Sequence, residues 1–83
     1  GHKTAKENVM RAANQLPKYT TNASLVGLWK RLDDSIPYDL LPSGEQVFLL
    51  SEDQEGWVRV FYPKRLRIGL VETANLVFGH QAN

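Results

Sequence analysis

Two tryptophans and a set of charged side chains carry whatever chemistry this chain has. Trp57 stands in Glu55-Gly56-Trp57-Val58-Arg59-Val60, and Trp29 in Gly27-Leu28-Trp29-Lys30-Arg31. A flat ring at a protein surface receives apolar groups of a ligand, and a charged rim orients them. Carboxylates gather in two places. Asp33 and Asp34 follow the first tryptophan; Glu52, Asp53 and Glu55 precede the second. Acid beside an aromatic surface favours the basic end of a ligand, although turn carboxylates are often only solvated. A cationic cluster of Lys64, Arg65 and Arg67, with Arg59 nearby, suits phosphate or anionic lipid, or is a plain solvated turn.

Catalysis is poorly provided for. The two histidines, His2 and His80, both lie near the chain ends, and there is no cysteine. No Gly-rich phosphate loop and no metal-ligand spacing occurs. The Asp33-Asp34 pair has nothing beside it in sequence to suggest a substrate cleft. A non-catalytic domain without cofactor or metal is the expectation.

The 83 residues imply one domain, and 42% hydrophobic residues suit a globular core of marginal size. A net charge of +1 makes no demand for nucleic acid or a membrane surface. Lack of cysteine removes disulfides and fits a reducing compartment, so the cytoplasm is the expected location. No apolar run approaches the ~18 residues of a membrane span. No secretory signal is recognisable, and Gly1-His2 reads as a cloning remnant.

The elements that must position these residues fall into two parts. Residues 4–16 read as a helix, within an N-terminal segment 3–17. Thr4 and Glu7 have capping-box spacing. Ala5, Val9, Ala12, Ala13 and Leu16 share one face, thin but apolar, for packing on the rest of the chain or on a neighbouring domain. Pro17 stops the helix. Residues 18–24 are polar and read as a linker. From residue 25 the helical period ends. Short strands are expected at 25–29, 46–51, 57–62, 68–71 and 76–78, with a long loop at 30–43. In the third of these, Val58 and Val60 point one way and Trp57, Arg59 and Phe61 the other. The pattern implies a mainly β chain, a small five-stranded antiparallel barrel over residues 25–79 preceded by one short α-helix.

Five short signals in order give this chain a family resemblance. They are Gly27-Leu28-Trp29-Lys30-Arg31, the acidic Asp33-Asp34 loop, Gly44-Glu45 before Val47-Phe48-Leu49-Leu50, Gly56-Trp57-Val58, and Gly69-Leu70-Val71-Glu72-Thr73-Ala74-Asn75-Leu76-Val77. Together they resemble a divergent Src-homology-3 (SH3) domain over about two-thirds of the chain. That family binds Pro-rich, polyproline II peptides on an aromatic groove, where an already extended ligand loses little entropy. The resemblance implies a groove built from Trp29, Arg31, Tyr38, Trp57, Thr73, Asn75 and Leu76, flanked by Asp33, Asp34, Glu52, Asp53 and Glu55. Two departures stand out. Arg31 and Leu76 occupy positions where the family has tyrosines, and Glu72 or Thr73 replaces the closing proline.

The resemblance implies a protein-interaction module of a signalling or scaffold protein, with a basic or Pro-rich peptide, or a whole domain, as partner. Alternatives stay open beside it. Trp57 would instead cover the core or lie under the helix; Trp29 would be core. Pro37 and Tyr38 either line the groove or anchor their loop. The domain as a whole would be a structural unit packed on helices. A helically extended member of the family would bind anionic lipid through Arg59, Lys64, Arg65 and Arg67. A secreted, cell-wall-binding variant fits less well.

Overall fold

Helix α1 spans His2–Ala13 in a computed structural model that describes residues 2–78, with side chains from residue 8 onward. The Thr4 and Glu7 capping pair lies outside the described side chains. The helix stops earlier than residue 16. Its last bonds tighten instead: Gln15 N donates to Ala12 O at 3.1 Å and Leu16 N to Ala13 O at 2.9 Å, the three-residue spacing of a closing turn before Pro17.

Among the described residues the chain is mainly β. Its strands are β1 (Lys18–Thr21), β2 (Leu25–Leu28), β3 (Asp39–Pro42), β4 (Gln46–Leu49), β5 (Trp57–Tyr62), β6 (Arg67–Glu72) and β7 (Leu76–Phe78). Every pairing between them is antiparallel. One sheet runs β6-β5-β4-β1-β7, and a second is the hairpin β2-β3. The expected strands are all present. The hydrogen bonds form two sheets, not one closed cylinder.

Two expectations are corrected. The supposed linker at residues 18–24 contains β1, which lies between β4 and β7 inside the larger sheet. Its polar composition hides strand-forming Tyr and Thr side chains. Thr21 is buried because its hydroxyl is satisfied on both sides: it donates to Pro42 O at 2.7 Å and accepts from Glu45 N at 2.9 Å. The supposed loop at 30–43 contains β3. Pro42 lacks an amide, so this strand suits the outer side of the hairpin, where no further strand needs one.

Alternation along β5 places two separate apolar layers. Val58, Val60 and Tyr62 face inward and join Val26, Leu28 and Val71 in the core between the sheets. Phe61 faces outward, yet it is only 6% exposed. Phe48 sits opposite it on β4, the rings stacked at 6.2 Å, and Ala13 of the helix closes over both. Met10 and Leu16 pack at the margin of this layer. The thin Ala-rich stripe of α1 therefore covers one end of the outer sheet face.

Tyr62 links the core to charge. Its hydroxyl donates to Glu45 at 3.1 Å, and burial first, then that bond, raise its pKa above the ordinary tyrosine value. The unfolded chain therefore gives up this proton before the folded one does. Its contribution to stability is complete below pH ~10 and declines as pH climbs toward the folded value. Urea unfolding at rising alkaline pH is expected to show that decline. The Tyr62→Phe protein should lose part of the slope; an unchanged slope would remove Tyr62 as its source.

Candidate functional site

Trp29 follows the last residue of β2, and Trp57 opens β5. Their backbones are held by different devices. Trp29 exchanges two hydrogen bonds with Leu70, N to O at 2.8 Å and O to N at 2.7 Å, and this bridge joins the hairpin to the larger sheet. Gly69 makes the approach feasible: a Cβ there would stand 2.8 Å from Trp29 O and 2.9 Å from Leu28 Cγ. Gly27 leaves room for the indole itself, since a Cβ at that position would stand 2.8 Å from Trp29 Nε1 and 3.3 Å from Pro37 Cβ.

Trp57 closes a tight two-residue turn. Gln54 and Trp57 exchange backbone bonds at 2.8 and 3.0 Å around Glu55 and Gly56, whose φ values are 54° and 90°. Two successive left-handed residues are the hairpin turn whose twist suits the flanking strands. Glycine takes that conformation freely; Glu55 does so at a small steric cost.

The two indoles meet edge to face, centroids 6.4 Å apart and planes at 89°. That is the preferred geometry of an aromatic pair. Both tryptophans are half-buried. Among the described residues, the helix packs on Phe61, four residues further along the strand than Trp57.

Two of the candidate acidic residues build the turns, and the others have exposed side chains without such a role. Asp34 closes the turn after Trp29, accepting from Arg31 N at 3.2 Å while its own amide donates to Arg31 O at 3.3 Å. Asp53 accepts from the Thr73 hydroxyl and from Gly56 N at 3.4 Å, and Thr73 N donates to Gly56 O at 2.8 Å. The turn before Trp57 is thereby locked to the short helical turn Thr73–Asn75. Arg31, Asp33, Glu52 and Glu55 are exposed. Glu72, directly opposite Trp57 on β6 and exposed, adds a carboxylate that sequence patterning did not single out as a site.

Other candidate residues serve the scaffold. Asn75 O accepts from Asn22 N at 3.0 Å, and Leu76 packs against the core between the sheets. Tyr38 ties its loop to β6: its hydroxyl donates to Ile68 O, and Arg67 lies over its ring at 5.1 Å. Three of the four basic residues in the cluster reach two carboxylates within the chain. Lys64 reaches Glu45 at 3.4 Å, and Arg65 and Arg67 converge on Asp39, Arg67 at 3.5 Å. The hydrogen bond to Asp39 raises the Arg65 pKa further. Asp39 was not foreseen; its side chain is only 10% exposed, in a stretch that reads as loop. Arg59 is exposed and has no carboxylate partner among the described residues.

No helix among the described residues is long and apolar enough to cross a membrane. Comparison with protein-family models, curated proteins and solved structures finds no match to this chain.

Proposed function

We propose that this chain is a divergent Src-homology-3-like domain with an N-terminal helical extension. In this reading it is a non-catalytic interaction module of a larger cytoplasmic signalling or scaffold protein. It binds a peptide or another domain on the Trp29–Trp57 surface. The observation that carries the reading is the edge-to-face tryptophan pair, half-buried, with exposed carboxylates on the turns that follow Trp29 and precede Trp57 in the chain. Rigid rings bind apolar and prolyl groups at low entropic cost, and the carboxylates draw a basic ligand end. Arg31 and Leu76 stand where the family has tyrosines, so the ligand motif departs from the usual Pro-x-x-Pro pattern.

A second reading, a structural domain packed on helices, is favoured by the contact of Ala13 with Phe48 and Phe61. That contact lies away from the tryptophans, so helix packing and ligand binding coexist. The anionic-lipid reading has less support, because Lys64, Arg65 and Arg67 already have carboxylate partners.

Trp57→Ala is the test. Ligand binding should disappear while the unfolding free energy falls modestly. A loss of about 3–5 kcal/mol, the scale of a core aromatic, would make Trp57 a packing residue and remove the site.

A further inference from the structure

Beside α1 the outer sheet face opens into an apolar groove of about 370 Å³, lined by Val9 and Ala12 of the helix, Leu16 of the turn that follows it, Phe61 and Ile68 of β5 and β6, and Leu50 just after β4. Val9 is 46% exposed, Leu50 39% and Ile68 53%. Exposed apolar residues that cluster in a concavity mark a contact surface more often than scattered ones do.

The groove is continuous with the tryptophan surface. Outward positions on β5 are Trp57, Arg59 and Phe61, and their partners on β6 are Glu72, Leu70 and Ile68. Same-face residues recur every ~6.8 Å along an antiparallel strand, so Trp57 and Phe61 are about 14 Å apart. One line therefore runs from the acidic turn at Glu52, Asp53 and Glu55, past the tryptophan, past Arg59, which lacks a carboxylate partner among the described residues, to the groove. An anionic bilayer would be repelled at the acidic end. A linear segment with alternating character fits all four stations.

Resting on the proposed peptide surface, we infer that the ligand does not end at the tryptophan pair but continues along β5 into the groove beside α1. The occupant is an extended segment of a partner polypeptide. Its order is a basic residue for the acidic turn, prolyl or apolar residues for Trp29 and Trp57, an acidic residue for Arg59, and a bulky apolar anchor for the groove. The anchor lies about four positions from the tryptophan-bound residue, the number an extended chain needs to cover that distance.

The test selects a random displayed 12-residue peptide library on the full 83-residue chain. Selected peptides are then measured against wild type and the Trp57→Ala, Arg59→Glu and Ile68→Glu variants, with Leu50→Glu as a second groove variant. Both groove positions are exposed, so each substitution is compatible with folding, checked by circular dichroism. Selected peptides should carry the acid and the apolar anchor at the stated spacing. Ile68→Glu and Leu50→Glu should each weaken them by at least about tenfold, while peptides cut before the anchor bind wild type and groove variants equally. Loss at Trp57→Ala with no loss at either groove variant would overturn the extension and leave the tryptophan site standing. Loss at the groove variants alone, or no enrichment at all, would overturn both. A wild-type dimer that Ile68→Glu makes monomeric in sedimentation would give the groove to a second copy and overturn the extension.

Discussion

A Val60→Asp protein is expected to be unfolded at 25 °C. Val60 has no exposed surface and faces Leu49 on one side and Gly69 on the other. A carboxylate there would lie in the inter-sheet core, among hydrophobic residues that offer no cation to pair with it. The effective penalty is several kcal/mol for the ion, plus about 1.5–3 kcal/mol for the lost valine burial. A domain of this size is stabilised by roughly 5–12 kcal/mol in all, so the change removes most or all of it. Arg59→Asp, one residue earlier on the exposed face, is the control and should remain folded. Circular dichroism and urea titration separate the two. A cooperative, native-like transition for Val60→Asp would refute the two-layer assignment of β5.

Gly69→Ala is expected to lower stability by about 2–4 kcal/mol and to move Trp29. The added methyl would press on a backbone oxygen, Trp29 O, and on Leu28 at distances that real Cβ atoms do not adopt. The backbone cannot yield cheaply, because Trp29 O accepts the 2.7 Å bond from Leu70 that joins the two sheets. One substitution therefore strains the seam between the sheets and the placement of the aromatic site together. Gly44→Ala serves as comparison. It meets no atom within 4 Å, and its φ of 84° adds only the steric cost of a left-handed residue, about 1 kcal/mol. Thermal unfolding measures both effects, and the Trp29 indole resonance reports the displacement. A Gly69→Ala protein as stable as wild type, with that resonance unmoved, would show that the seam tolerates the methyl.

Period-two alternation made β5 legible from residue types alone, and with it the inward Val58 and Val60. It also placed Phe61 on the Trp57 side, which is correct, but could not reveal that the helix buries Phe61. That contact depends on Ala13 and Phe48, remote in sequence, and on a helix stripe of small side chains with little hydrophobic signal. Strands β1 and β3 were hidden for a related reason. Their burial rests on single residues, Thr21 and Leu41, within polar surroundings. Only the partners supplied by the turn at Pro42 to Glu45 make a buried threonine acceptable. At the site, the tryptophans and the exposed acids were legible as residue types. The division of labour was not. Asp34 and Asp53 hold turns, Tyr38 anchors a loop, and Asp39 gathers two arginines, all through contacts fixed by tertiary approach.

The most direct measurement of the central claim is an amide and indole chemical-shift titration of the isotopically labelled chain with pooled Pro-rich peptides carrying flanking arginines. The proposed surface requires saturable shifts centred on the Trp29 and Trp57 indoles and on Asp33, Glu52 and Glu55, with the α1 contact at Ala13 intact. A titration in which the two indoles stay unmoved, both by these peptides and by peptides selected from the displayed library, would contradict a ligand surface built on the tryptophan pair.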